Sequence, residues 1–240
     1  MLDYTVLKRD RTKFLALTGL TVKEFESLLP AFSAAYKKRY AGRKTLTGSK
    51  RQRGKGGGRR GQLPTMEQKL LFILVYQKTY PLQVVMGELF AMSQAAANQW
   101  IHRLLPVLQA ALDVLGVMPE RDPAQFARHE RQQGESLDLA IDGTERRRQR
   151  PKNPEKQKLH YSGKKKTHTD KNVVIANTRT KRVGYLSRTY PGKTHDKKIA
   201  DREAIDYPRE ATVRKDTGFQ GYEPPVRQSL QPKKSRARAN

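Results

Sequence analysis

The spacing of apolar positions changes character about halfway along the 240-residue chain. The first half follows the helical period. Phe25, Leu28, Leu29 and Phe32 share one face of a helix predicted over Thr21 to Tyr40. Thr21 caps it with Glu24 three residues on, as in a capping box, and Pro30 kinks or divides it. A second helix begins at Thr65, with Gln68 at the matching position, and carries a broad apolar face of Leu70, Leu71, Ile73, Leu74 and Tyr76. The stretch PLQVVMGELFAMSQAAANQWIHRLLPVL then parses as a short helix near Gln83 to Phe90, a tight turn, and a helix from Ser93 to Leu105. Ser93 caps the latter, Ala95 to Ala97 permit close crossing, and Trp100, Ile101, Leu104 and Leu105 face inward. Glu120 to Gly134 is polar and reads as a connection between halves.

Beyond it the period shortens to two. Leu137, Leu139 and Ile141 alternate with Asp138, Ala140 and Asp142, which predicts a strand bearing a carboxylate at its C-terminal end. Gly143 is expected to break this strand and leave Asp142 facing a crevice. Ala211 to Lys215 is a second such strand, ending in Asp216 and followed by a small residue and Gly218. Between them, Lys171 to Asn177 and Val183 to Tyr190 read as paired strands, and Pro191-Gly192 ends the second. Thr194 or His195 then caps a helix through Asp196 to Ile205.

Two aspartates at two strand ends suit a divalent cation, because Mg²⁺ takes hard oxygen ligands and few protein carboxylates. A strand-end aspartate can also simply cap the turn after it; the repeat of the same local context favours the metal. Asp138 is assigned to the surface or an ion pair. Capping accounts for His195 and Asp196, with an outer role at the metal open. His160 and His168 lack partners at zinc-ligand spacing.

The helical pair has the layout of a helix-turn-helix, whose second helix sets its early residues in the DNA major groove. Ser93, Gln94, Asn98, Gln99, His102 and Arg103 are the polar groups available there. Periodicity alone supports only a helical hairpin, and Trp100 fits a core better than a base-stacking platform.

Charge sharpens the picture. The net charge of +26 and a pI near 10.4 point to a polyanionic partner, most simply nucleic acid. A ribosome-type RNA or an anionic membrane surface would satisfy composition equally. Lys37 to Gly61 holds eleven Lys or Arg, seven Gly and no acid, so it forms no core. It reads as a tether, and Arg59 and Arg60 in it either track phosphates or are merely solvated. Glu145 to Lys171 is also strongly basic and suits a loop or ragged hairpin beside a phosphate path, with Arg146, Arg147, Arg148, Lys164 and Lys165 as contacts. The absence of cysteine excludes disulfides and thiolate metal sites. No apolar run approaches the roughly 20 residues of a membrane span, and Met1 to Lys13 has no signal-peptide core, so a soluble intracellular protein is expected.

IDGTE, PGKTHD and KDTGFQGY, placed behind a helix-turn-helix, resemble the DDE-type transposases of bacterial insertion sequences, in the Harbinger-like branch related to the insertion sequence five group. The resemblance runs from about Thr21 to about Lys234. It implies an α+β chain: an N-terminal all-α helix-turn-helix domain, then an incomplete ribonuclease-H-like α/β domain with a mixed sheet. In that sheet the first strand lies beside the fourth, making neighbours of Asp142 and Asp216. The implied divisions are a helix and basic linker at 1–62, the helix-turn-helix at 63–118, the partial catalytic domain at 135–226 and a basic tail at 227–240. The implied activity is cleavage at element ends and joining of the freed 3′ hydroxyl to a target, through two metal ions about 3.5 to 4 Å apart. Asp142 would be shared between the metals and Asp216 would hold one. Mg²⁺ is the default, and Mn²⁺ suits the same oxygens. The partners implied are double-stranded DNA, at transposon ends and target, and a second copy of the chain as a homodimer on DNA. No membrane is involved, and the place is the bacterial cytoplasm at the nucleoid.

The third acid of the family is a glutamate on a helix well downstream of the second aspartate. Glu223 lies seven residues past Asp216 in a Tyr-Glu-Pro-Pro segment that cannot be that helix. VRQSLQPKKSRARAN lacks apolar periodicity and reads as a drifted or early-closing frame: the upstream product of a frameshifted element, or a decayed copy. A missing final strand would leave the Asp216 strand exposed at the sheet edge. A DNA-binding regulator without catalysis, occupying element ends, and an unrelated RNA-binding protein are the competing readings.

Overall fold

A computed structural model describes residues 1–40 and 61–232; the glycine-rich basic stretch, with Arg59 and Arg60, and residues 233–240 lie outside the described residues. The chain divides into two units, Met1–Val117 and Met118–Asn240.

The first unit is helical: α1 (Tyr4–Leu7), α2 (Arg11–Thr18), α3 (Val22–Tyr40), α4 (Met66–Thr79), α5 (Gln83–Phe90) and α6 (Gln94–Val114). Local chemistry fixes several ends. The Asp10 carboxylate accepts from Lys13 N–H at the start of α2, and Gly19 closes it in the left-handed region at φ 75°. The capping box of α3 forms: Thr21 N–H donates to Glu24 Oε2 at 2.7 Å, and Glu24 N–H returns to Thr21 Oγ1 at 3.3 Å. Pro30 does not divide α3, because Phe25 and Leu28 before it and Phe32 after it are buried in the same core. Packing outweighs the lost backbone bond. The same holds in α6, which runs nine residues beyond the predicted Leu105: Val107, Leu108 and Ala111, past Pro106, are buried.

Helix α4 is enclosed on all sides, with every residue from Gln68 to Val75 buried, rather than presenting one broad face. Its Lys69 ammonium is buried too, donating to the Leu63 carbonyl at 2.5 Å and lying 5.7 Å from the Trp100 ring centroid. Between α5 and α6 the turn is as tight as predicted. Ala91 takes φ 52°, and a Cβ on Gly87 would lie 2.6 Å from the Met92 carbonyl oxygen.

The second unit is α+β. In order come α7 (Phe126–Gln132), β1 (Asp138–Arg147), α8 (Pro154–His160), β2 (Tyr161–Ser162), β3 (Thr167–Asn177), β4 (Val183–Leu186), β5 (Tyr190–Pro191), α9 (Asp196–Glu203), β6 (Thr212–Lys215), a 3₁₀ turn (Thr217–Phe219) and β7 (Gln228–Leu230). The mixed sheet is ordered β2-β3-β1-β6-β7, with β4 and β5 also on β3. Strand β1 is central, antiparallel to β3 and parallel to β6. Leu139, Ile141, Val173, Ile175 and Val213 form a core with Ile199 and Ala200 of α9.

Four expectations change here. Gly143 does not end β1, because pairing with β3 continues from Leu139↔Asn177 to Arg147↔Thr169. The Glu120 to Gly134 segment is not a bare connection: Phe126 is fully buried with its ring 5.6 Å from Tyr185, and Glu130 pairs with Arg182 at 2.9 Å. The basic run after β1 contains helix α8, started by Asn153 accepting from Glu155 and Lys156 N–H groups, with Pro154 in the first turn. The tail supplies β7, parallel to β6 through Thr212↔Gln228 to Arg214↔Leu230, so the Asp216 strand is not an edge.

Two predictions follow from this packing. Gly87→Ala forces a methyl against a backbone oxygen, and is expected to destabilise the helical unit by roughly 1–3 kcal/mol, read as a lower denaturation midpoint. In the second unit, buried Glu203 accepts from the hydroxyls of Tyr185 and Tyr190, the latter at 2.5 Å. Burial, then the Glu203 contact, pushes Tyr190 up to about 12 and Tyr185 well above the usual range. Native tyrosines therefore keep protons that unfolded ones release. The Tyr190 stabilisation is complete below about pH 10 and is lost as pH rises through about 12, while that of Tyr185 falls over the same rise and beyond it. Denaturant midpoints measured across this window should fall, and less steeply in Tyr190→Phe.

Candidate metal centre and nucleic-acid surface

Strand pairing brings the two sequence-predicted aspartates together. The β1–β6 register ends at Ile141↔Lys215, so Asp142 and Asp216 occupy the next position on adjacent parallel strands, whose spacing is about 4.8 Å. Ile141 and Lys215 are buried, whereas Asp142 and Asp216 are both exposed, and Asp216 lies with Asp196 of α9 around Gly218, whose Cβ would be 3.0 Å from Asp216 Oδ1 and 3.1 Å from Asp196 Oδ2. Asp142 Oδ1 accepts from Gly143 N–H at 2.7 Å, and Asp216 Oδ1 accepts from Gly218 N–H at 2.9 Å. The Asp216 carbonyl accepts from Gln231 Nε2 at 2.5 Å, tying the strand end to the chain beyond β7.

Neither aspartate has an ion-pair partner among the described residues, although the chain carries a large excess of cations. By contrast Asp138 holds Arg214 in a two-pronged pair at 3.0 and 3.1 Å, and the hydrogen bond from Arg214 keeps its carboxyl below the usual range. Glu223 pairs with buried Lys215 at 2.8 Å. Two adjacent uncompensated carboxylates at a sheet's end are a donor set suited to a hard divalent cation. Among the described residues no group of three or more His, Cys, Asp or Glu converges on one point.

Beside the aspartates lies a network that sequence reasoning missed. Glu145 and Lys171 are paired across β1 and β3, and the buried Lys171 ammonium lies 3.2 Å from Glu145 Oε1 and 3.1 Å from Asp196 Oδ1. Burial alone would raise the Glu145 carboxyl. Hydrogen bonds from Ser162, Lys171 and Thr169, with the Lys171 charge, outweigh it and hold the group below its ordinary value. Asp196 does not cap α9 through its side chain, and neither does His195, which sits at the N-cap without a side-chain bond. The Asp196 carboxylate instead fills the space beside two glycines. A Cβ on Gly143 would lie 2.6 Å from its Cγ, and one on Gly218 would lie 3.1 Å from its Oδ2. The PGKTHD motif was the available signal for this residue.

The predicted nucleic-acid contacts divide by environment. On α6, Ser93 caps the helix by accepting from Ala96 N–H at 3.2 Å, while Gln94, Gln99 and His102 are exposed. Asn98 donates to Gln83 Oε1 at 3.0 Å, joining the two helices of the motif. The Arg103 guanidinium lies 4.9 Å from the Trp100 ring centroid and 5.9 Å from that of Tyr40, and both Arg103 and Trp100 are half-buried. In the second unit Arg146 donates to Asn172 at 2.7 Å and Arg148 to Asp170 at 2.9 Å, whereas Arg147, Lys164 and Lys165 are exposed. Among the described residues no helix is long and apolar enough to cross a membrane.

Comparison with known families agrees with this division. Residues 141–238 match the DDE superfamily endonuclease model, a family that implies divalent-metal use. Residues 61–113 match the helix-turn-helix of DDE superfamily endonuclease. No curated protein and no solved structure matched the chain. With the helix-turn-helix segment preceding a mixed sheet, the two matches support a DDE-superfamily transposase.

Proposed function

We propose that the chain acts as an insertion-sequence transposase of the Harbinger-like branch related to the insertion sequence five group, cutting DNA at element ends and joining 3′ ends to a target. The observation that carries this reading is the adjacency of two exposed, unpaired carboxylates on β1 and β6. When bound there, Mg²⁺ or Mn²⁺ at two positions would activate the attacking oxygen and stabilise the leaving one. Asp142, on the central strand with partners on both sides, is the shared ligand, and Asp216 is the second.

The protein's own groups do the rest. Lys171 offsets one of the two charges of Glu145 and Asp196, so net negative charge remains at and beside Asp142 and Asp216. Exposed Arg147, Lys164 and Lys165 meet phosphates. Ser93, Gln94, Gln99 and His102 face the major groove, and Asn98 and Arg103 shape the motif that presents them. Two copies bind as a homodimer on double-stranded DNA in the bacterial nucleoid, one at each end of the element.

One observation favours a second reading. Glu223, seven residues past Asp216, is committed to Lys215 and not to the aspartates. In that reading the chain acts as a catalytically inactive DNA-binding regulator or remnant that occupies transposon ends.

The readings separate experimentally. Under the first, Asp142→Asn and Asp216→Asn each lower Mg²⁺-dependent nicking of DNA by at least about a hundredfold, and chelation abolishes it. DNA affinity measured in chelator should be unchanged. Metal-independent nicking, or nicking indifferent to both substitutions, would sink the assignment. Under the second, the purified chain binds DNA without completing strand transfer, and robust joining by it would remove that reading. Gln94→Ala and Gln99→Ala should each weaken sequence-specific binding by roughly 1–3 kcal/mol if they read bases, while leaving non-specific binding in place.

A further inference from the structure

Beside the basic helix α8 lies a hollow of about 770 Å³, within the roughly 300–1,000 Å³ range of cavities that hold a small ligand. One wall is aromatic: Tyr161, which ends α8 and starts β2, meets its cross-strand partner His168 edge to face at 5.7 Å. Tyr161 is 43% exposed, so part of its ring is open to the hollow. The other walls carry Arg150, Lys158 and Lys193 and no carboxylate. The Arg150 guanidinium is already aimed, its Nε and Nη2 both bonded to Gln157 Oε1 at 3.1 and 2.9 Å. Lys158 and Lys193 have no ion-pair partner among the described residues. A second, smaller hollow of about 340 Å³ shares Gly163 and Lys193 with the first and has Gly218, two residues past Asp216, on its wall. The aromatic hollow thus borders, through Gly163 and Lys193, a smaller one whose wall includes Glu145, Asp196 and Gly218.

We propose that this hollow binds one unpaired nucleotide of a DNA strand, its base laid on Tyr161 and its phosphates held by Lys158, Lys193 and Arg150. A base within a duplex has both faces covered by its neighbours, so only an unpaired one can offer a face to the ring. Cations around an aromatic platform are the arrangement that holds single strands through stacking and charge together. The basic residues of this segment therefore form a shaped subsite as well as a general phosphate path. The inference rests on the reading that the chain handles DNA, and is independent of the carboxylate assignment.

The test uses the full chain in chelator, so that cleavage chemistry plays no part. Binding of a blunt duplex is compared with the same duplex bearing a short single-stranded extension, at moderate salt. The extension is expected to raise affinity about tenfold. Tyr161→Ala should abolish that preference and Tyr161→Phe should keep it. Replacing the extension's bases with abasic sites should also abolish it in the unaltered protein, a control that needs no variant to fold. A preference that survives Tyr161→Ala, or that is equal for abasic and base-bearing extensions, would overturn the proposal by showing that phosphates alone account for it. Equal affinity of the unaltered protein for blunt and extended duplexes would overturn it too. Those outcomes would leave the carboxylate reading standing, which is decided separately by metal-dependent nicking.

Discussion

The second unit depends on the parallel pairing of β1 with β6. Parallel neighbours cannot be joined by a tight turn, so a long connection has to lie between them in sequence. Here α8, β2 to β5 and α9 make that connection, and β3 comes back along the other side of β1. The result is a central strand held on both edges. Its last buried residue, Ile141, is matched to Lys215, and the carboxylates that follow emerge side by side. With β7 on its far edge, β6 is held in the same way, although β7 contributes only three residues. A shift of one residue in either pairing would turn Asp142 or Asp216 into the core.

Charge is organised around that geometry. The chain carries far more cations than anions, yet its buried lysines are all answered: Lys69 by carbonyl oxygens and aromatic rings, Lys171 by two carboxylates, and Lys215 by the Tyr222 carbonyl and Glu223. Burying an ammonium without such partners is costly, so each lysine also fixes the segment that meets it. Lys171 joins β1, β3 and α9 at one point. Among the cations left over, Lys156, Lys158, Lys164 and Lys165 lie on α8 and the loop after it, where a polyanion can reach them.

Much of the helical unit was legible in the sequence because its signals are local. Thr21 with Glu24, Thr65 with Gln68, and Ser93 are decided within a single turn. The two aspartate strands were legible through alternation. What escaped depends on distant partners. Gly143 reads as a breaker until β3 is seen holding the strand on both sides of it. Strand β7 is too short for alternation to register, and Phe126 in a polar stretch gives no hint of the tyrosines it packs against. Helices α3 and α6 outlast their prolines because burial on both sides compensates, a sum that local propensity omits. Asp196 could be seen as part of a motif, but its closeness to Gly143 and Gly218 is a fact of three dimensions.

That closeness changes what the aspartate-glycine pairs mean. At first sight each glycine serves the backbone, as a residue that lets the chain turn after a carboxylate. In the folded unit Gly143 is bare because another acid, arriving from α9 and tethered by Lys171, occupies the volume its side chain would have filled, while Gly218 is hemmed in by its own Asp216 and by that same acid. Positions 143 and 196 therefore constitute one joint in two pieces, and neither is free to drift alone. A lineage that lost the carboxylate at 196 would be released to place a larger residue at 143, and its first aspartate would then stand without the glycine that marks it.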